Sequence, residues 1–328
     1  MDELRKDPTR GRWVLVRPGG EPARPDSACP FCPGNESLTP PEIAAYRKEG
    51  SPPKGPGWSV RVVPEANPYF RIERDLVREG VGLYDRISPR GATELIVESP
   101  SHDDTPASMP EAQWAQVLWM YRDRLRDLKR DLNIRDILIT RRHRLPGAQI
   151  THPYSRLTAI PIIFDDVRQK LDECRLYFEY KRRCVYCDIV HQEVGTGTRM
   201  VRLTEHFLAL APYAPRSPFE VWVLPRRHAC AYEQSLTGPV AADLASLLTG
   251  LFKSLAVSMG DPPFEMVLYT APNEAAKVLP GEWTTLQEDY HWHIEVAPTP
   301  RPRLNVGGIF ITETSPEETA SRLREAWQ

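Results

Sequence analysis

Two Cys-x-x-Cys pairs, Cys29/Cys32 and Cys184/Cys187, are the residues of this chain best suited to chemistry. Each pair is followed downstream by two histidines in matching order. The first half offers His102 in LIVESPSH and His152 in THPYSR, and the second offers His228 in VWVLPRRH and His291 in YHWHIE. Two thiolates and two imidazoles form a closed tetrahedral donor set for zinc, a borderline-soft ion. A Cys-x-x-Cys loop presents both sulfurs to one ion while distant histidines tie later strands to it, so binding energy becomes folding energy. The repeated order of thiolates, strand and histidine, helix, strand and histidine raises these residues above His191 and His206, which read as surface side chains. Redox use is the alternative for such a pair, but neither sits in a strand–helix–strand context of the thioredoxin kind. Cys174 and Cys230 fall outside the pattern and read as small core residues.

A second chemical signal is the alternation His291-Trp292-His293-Ile294-Glu295, which on a strand turns all three polar residues to one face. The corresponding first-half segment is His152-Pro153-Tyr154-Ser155-Arg156, preceded by Arg141, Arg142 and Arg144. Those arginines suit an anion, as binding partners or as cationic help for a neighbouring hydroxyl.

The elements that position these residues follow from periodicity. Residues 12–17, 61–70, 93–99, 136–140 and 157–164 read as strands. Residues 110–131 carry Trp114, Val117, Leu118, Tyr121, Leu125 and Leu128 at helical spacing. The charged run 166–183 reads as helical and contains the boundary between halves, near residue 170. After it come the lead-in CVYCDIV, strands in VRLTEHFLALAP and FEVWVLPRRH, a helix over 240–258, strands in FEMVLYTAP and YHWHIEVAP, and a closing helix capped by SPEE. The first half thus spans 1–170 and the second 171–328, two related α+β units.

Bulk properties narrow the class. With 328 residues, 41% hydrophobic and 26% charged, the chain has room for two ordinary cores. A net charge of −2 supplies no general basic field for nucleic acid. No window reaches the roughly 20 consecutive apolar residues of a membrane span, and the charged start MDELRKDPTRGRW is unlike a signal peptide. A cytoplasmic protein without nucleic-acid or membrane partners is expected. The 33 prolines against 19 glycines indicate many rigid, extended loops.

With these motifs in order, the chain resembles the galactose-1-phosphate uridylyltransferase family, whose members are tandem histidine-triad (HIT-like) folds. The match runs through LRKDPTRGRWVLVRP, CPFCPGN, RVVPEANPYF, ESPSHDDTPASM, THPYSRLTAIPI, EHFLALAPYAPRSPFEVWVLPRRH and DYHWHIEVAPTP, nearly the whole chain. The resemblance implies tandem HIT-like domains with antiparallel sheets and packed helices. It implies a structural zinc on Cys29, Cys32, His102 and His152, and a nucleotidyltransferase working through a nucleotidyl-histidine. UDP-glucose and galactose 1-phosphate are the substrates it suggests, and a homodimer the assembly.

Against the family's His-Pro-His-x-Gln segment, Tyr154 stands at the nucleophilic histidine and Arg156 at the glutamine. The Asn-His-Gly…Gly-Ala-Ser loop becomes Arg141-Arg142-His143…Gly147-Ala148-Gln149, and a base-binding asparagine becomes Glu65 unless Asn67 takes that place. A phenol with a pKa near 10 is roughly 99.9% protonated at pH 7. Tyr154 is therefore either a nucleophile aided by arginines or a space-filling residue. In the second half, His293 holds the place of Tyr154, while relatives use their second-half His-x-His for a further metal. Tyr269 replaces another ligand of that metal, which leaves Cys184, Cys187, His228 and His291 as the second set. His293 remains a candidate nucleophile, a metal ligand or a structural residue. Arg141, Arg142, Gln149, Arg156 and Glu295 are the substrate-binding candidates. Three functions follow: nucleotidyl transfer between a nucleotide sugar and a hexose 1-phosphate, a catalytically degenerate nucleotide- or anion-binding relative, and a nucleotide hydrolase or phosphorylase using His293.

Overall fold

Val60 and Val62 flank Arg61, and Leu157 and Ala159 flank Thr158, so each segment forms a strand whose apolar side meets a helix. The computed structural model describes residues 2–18, 28–145, 150–276, 282–298 and 305–327. In chain order the first half contains β1 (Glu3–Lys6), β2 (Trp13–Val16), β3 (Ala44–Arg47), β4 (Trp58–Pro64), β5 (Arg78–Val81), β6 (Tyr84–Ile87), β7 (Ala92–Val97), α1 (Glu111–Leu128), β8 (Asp136–His143) and β9 (Tyr154–Ile160). There follow α2 (Asp165–Lys181), α3 (Val185–Thr196), β10 (Met200–Leu203), β11 (Phe207–Leu210), β12 (Val221–Pro225), α4 (Tyr232–Ser235), α5 (Gly238–Met259), β13 (Phe264–Tyr269), α6 (Leu286–Asp289) and β14 (His293–Pro298). A hairpin of β15 (Asn305–Val306) and β16 (Ile309–Phe310) precedes α7 (Pro316–Glu325).

The two halves share one ten-stranded sheet in the order β10-β11-β12-β14-β13-β8-β9-β7-β4-β3. Read outward from its centre, the sequence β8-β9-β7-β4-β3 mirrors β13-β14-β12-β11-β10. The halves are therefore related by a local two-fold axis between β8 and β13. These central strands pair antiparallel, with Thr140 opposite Val267 and Arg142 opposite Glu265. The expected boundary at residue 170 falls inside α2, and the sheet runs unbroken from one half into the other.

One face of the sheet carries α1 and α5 side by side. Trp114 stacks on Phe252 at 5.4 Å between these helices, and Leu118, Leu125, Leu244, Leu248 and Leu251 fill the layer beneath. The α5 helix is long and apolar enough to cross a membrane; here that length is matched by burial in the shared core. On the second half, α2 and α3 cover the opposite face, where Cys174, Tyr186 and Val190 pack on Leu208, Leu210 and Leu224. The same face of the first half holds the Cys29–Cys32 loop, Phe31, Val63, Leu95 and Val97. A separate four-stranded sheet, β2-β1-β6-β5, packs through Leu4 and Ile87 on Ile160 and Ile162. Gly91 permits the entry of β7 beside β9: its φ is +151°, and a Cβ there would lie 2.1 Å from the Ala159 carbonyl oxygen.

Candidate metal centres and ligand cleft

Three segments of the first half converge on one point. Cys29 and Cys32 sit on a tight turn, closed by Asn35 donating from its backbone to the Cys32 carbonyl and from its side chain to that of Cys29. His102 follows β7, and His152 precedes β9. Cys32 Sγ lies 3.4 Å from His102 Nδ1 and 3.8 Å from His152 Nδ1, with Cys29 Sγ also 3.8 Å from the latter. The four donor atoms fall within 4.8 Å of one another. The opposite nitrogens are engaged elsewhere: His152 Nε2 donates to the Ser99 carbonyl at 2.7 Å, and His102 Nε2 meets the Thr151 hydroxyl at 3.1 Å. Both Nδ1 lone pairs are thereby left for an ion. Burial holds His152 below the ordinary imidazole range, in the neutral form that a metal requires.

The second half repeats the arrangement group for group. Cys184 caps α3 and Cys187 lies in its first turn, where the helix dipole favours thiolates. Cys187 Sγ is 3.3 Å from His228 Nδ1 and 3.7 Å from His291 Nδ1, and Cys184 Sγ is 3.9 Å from the latter. His228 Nε2 donates to the Gln287 carbonyl and His291 Nε2 to that of Pro225. A hydrogen bond from Cys184, joined by His228 and His291, pulls the Cys187 thiol well below its ordinary range. For zinc bonds of about 2.3 Å to sulfur and about 2.0–2.1 Å to nitrogen, a tetrahedron has sulfur–nitrogen edges of about 3.5–3.6 Å. Both centres present that spacing, so each set could hold a metal ion. Sequence reasoning missed the aromatic that each Cys-x-x-Cys carries at the same place. Phe31 packs edge-on against His152 and Tyr154, at 6.0 and 5.5 Å. Tyr186 packs against His291 and His293, at 6.1 and 4.7 Å. The signal was available, since both loops read Cys-x-aromatic-Cys.

From each centre a strand leads outward. Along β9, Ser155, Leu157 and Ala159 face α1, while Tyr154 and Arg156 take the outer face. Arg156 Nη2 bonds Glu65 Oε1 at 2.6 Å with the guanidinium side chain 33% exposed. Arg156 Nε and Glu65 Oε2 have no hydrogen-bond partner among the described residues. Arg17 bonds Asn67 beside them and stacks over Tyr69 at 5.1 Å. Arg142 lies exposed on the same face, 2.9 Å from Glu265. The outer face of the first half thus carries the guanidinium groups of Arg17, Arg142 and Arg156. The Tyr154 hydroxyl makes no hydrogen bond among the described residues. Gln149 lies outside them.

Arg141 is placed differently from its neighbours. Alternation along β8 turns it inward, where its Nε bonds Glu98 at 2.6 Å. Glu98 in turn accepts from Tyr121 and Ser155, at 2.9 and 2.5 Å. This fully buried network pins β7, β8, β9 and α1 beneath the cleft and holds Arg141 away from the outer face.

His293 and Glu295 occupy the second half's outer face, yet both are buried, at 0% and 1% exposure. His293 Nδ1 donates to the His291 carbonyl at 2.9 Å. Burial, with the Lys170 charge, holds the imidazole below its ordinary range and hence neutral. Its Nε2 therefore presents a lone pair toward the Tyr186 hydroxyl at 3.5 Å. The same nitrogen lies 3.4 Å from Glu295 Oε1. Burial opposes ionisation of Glu295, but the contact with His293 and the charges of Lys170 and Arg216 outweigh it and hold the carboxyl far below its ordinary range. No local pattern announces Lys170, which stands 125 residues from Glu295.

No protein-family model matches the chain. Among curated proteins it is 27% identical to ADP-glucose phosphorylase of Arabidopsis thaliana, over 98% of this chain and 92% of that one. It is also 27% identical to galactose-1-phosphate uridylyltransferase of Thermotoga maritima, over 99% of this chain and 98% of the relative. Among solved structures, a uridylyltransferase mutant superposes with a TM-score of 0.80 at 29% identity, covering 99% of this chain and 97% of its own. The Arabidopsis thaliana ADP-glucose phosphorylase with bound ADP-glucose gives 0.76 at 26% identity, over 99% of both chains.

Proposed function

The chain belongs to the galactose-1-phosphate uridylyltransferase family, and on that premise we propose that it binds a nucleotide sugar on the outer face of its first half and passes the nucleotidyl group directly to a sugar phosphate or to inorganic phosphate. The observation that carries this reading is Arg156, a partly exposed guanidinium four residues after His152 and, among the described residues, paired only with Glu65. A guanidinium in that place suits the bridged phosphates of the donor, and Arg142 and Arg17 flank it. That one relative is solved with ADP-glucose supports the ligand class; UDP-glucose with galactose 1-phosphate is the alternative pair.

The transfer is a single displacement. A phosphate oxygen of the acceptor attacks the α-phosphorus of the nucleotide sugar. The bond from that phosphorus to the bridging oxygen breaks, and hexose 1-phosphate leaves with the electron pair. Arg156 neutralises charge on the phosphoryl oxygens as the two phosphates approach. Tyr154 is not asked to be a nucleophile: its ring packs on Phe31, and its hydroxyl meets no base among the described residues. Zinc on the two Cys/His sets supplies folding energy and strand register rather than chemistry.

The test is phosphorus NMR of the metal-loaded protein with UDP-glucose or ADP-glucose and either galactose 1-phosphate or inorganic phosphate. Exchange is expected, with no nucleotide left on the protein when donor alone is supplied. Stable labelling would overturn the direct step. Tight binding without turnover for every pair would establish instead the second reading, a binding relative without transfer activity, which the packing of Tyr154 favours.

A further inference from the structure

The second-half counterpart of the ligand cleft is filled by the chain itself. From α2, Lys170 reaches over the outer face and places Nζ 2.5 Å from Glu295 Oε1. The same ammonium lies 4.6 Å from the Tyr269 ring centroid and 5.4 Å from that of Trp222. A buried carboxylate and two aromatic faces form a box suited to a small cation, through charge on one side and ring quadrupoles on the others. Arg216 bonds the second Glu295 oxygen and also Glu220, at 2.9 Å from the latter. Two cations therefore balance two buried carboxylates, and removal of either cation would leave a buried negative charge uncompensated. Among the described residues the first half shows no such cover: Arg156 pairs with Glu65 and stays partly exposed.

We infer that the Glu295–Tyr269–Trp222 box is a cation-binding site whose resident ligand is the tethered ammonium of Lys170, and that a small primary alkylammonium ion takes its place when the side chain is removed. This occupancy fills the outer face of the second half with the side chain of Lys170, so a phosphorylated ligand meets only the first half.

The probe is n-butylammonium, which reproduces the stem and head of lysine, applied to the full-length, metal-loaded Lys170→Ala protein. Saturable binding by calorimetry is expected, with an unfolding temperature that rises with amine concentration. Wild type should give no response, nor should Lys170→Ala with n-butanol, which has the same stem and no charge. The Lys170→Ala/Glu295→Gln double variant should lose the response. A separate measurement covers the case in which Lys170→Ala folds poorly. Lys170→Met keeps the stem, and combining it with Glu295→Gln should yield a protein more stable than Lys170→Met alone, because no unpaired carboxylate is then buried. Additive losses in that cycle would overturn the inference. So would an amine response that survives Glu295→Gln, is matched by butanol, or appears equally in wild type.

Discussion

Arg156 and Glu295 occupy the same place in the two halves, four residues after the candidate metal-ligand histidines His152 and His291, and carry opposite charge. Their partners are reversed as well: Arg156 bonds Glu65, and Glu295 bonds Arg216. One ion pair is thus used twice with inverted polarity. In the first half the cation is partly exposed and within reach of a phosphate, and in the second half the anion is buried and already paired with Lys170 and Arg216. Arg156→Ala should weaken nucleotide-sugar binding at least tenfold, since hydrogen bonds to a charged group contribute about 1.5–3 kcal/mol. Glu295→Gln should lower the unfolding temperature while leaving affinity within about twofold. Calorimetric titration of both variants decides the matter, and the opposite pattern would move the ligand to the second half.

Glu65 gives the cleft a pH dependence. Burial pushes its carboxyl above the ordinary range, with Arg156 and Arg17 pulling the other way. A bound anion competes with the ionised carboxylate for Arg156, so binding is linked to proton uptake. Affinity should rise as pH falls from about 7 toward 5. Sulfate is the suitable probe because it does not itself titrate there. Glu65→Gln should bind sulfate more tightly than wild type at neutral pH and flatten the profile. A slope unchanged in that variant would assign the proton to another group.

Much of this was legible in the sequence. The strands β4, β7, β8 and β9 and the helices α1 and α5 follow from apolar periodicity, and the convergence of both Cys/His clusters follows from the Cys-x-x-Cys pairs and the order of later histidines. What was not legible depended on distant contacts. Residues 185–196 contain Val185, Tyr186, Ile189 and Val190, which read equally well as a strand; packing of Tyr186 and Val190 on Leu208 and Leu224 makes them a helix. The hairpin β5–β6 is mostly exposed and shows no apolar alternation, and it is held through Ile87 against Leu4. Arg141 and Arg142 looked equivalent as adjacent cations, and only the pleat of β8 separates them, one buried against Glu98 and one facing Glu265.

Two zinc ions per chain are expected by elemental analysis, and each centre should be separable. Cys32→Ser and Cys187→Ser should each reduce the content to one, because each of these thiolates contacts both histidines of its set. Chelation should lower the unfolding temperature in wild type and less in either variant. Acid should release the ions as thiolates and imidazoles protonate. A full two ions in either variant would show that another donor completes that centre.

Tyr154 and His293 are counterparts whose surroundings differ in ways that predict the effect of exchanging one for the other. His293 is oriented by the His291 carbonyl through Nδ1 and faced at Nε2 by the Tyr186 hydroxyl. At Tyr154 the corresponding aromatic is Phe31, which has no hydroxyl, and the neighbouring position four residues past the ligand is a cation engaged with Glu65. Tyr154→His would therefore gain a nucleophile of suitable type without the donors that hold a donor phosphate in line with it. It should form no covalent nucleotide on incubation with labelled UDP-glucose or ADP-glucose. Tyr154→Phe, which loses only a hydroxyl without a hydrogen-bond partner, should retain ligand affinity and any turnover within about threefold, as expected where no measurable hydrogen-bond energy is removed. Intact-mass measurement reads the first outcome and phosphorus NMR the second. Labelling of Tyr154→His would show that the cleft still aligns the donor phosphate and that the nucleophile is the one component this chain has lost.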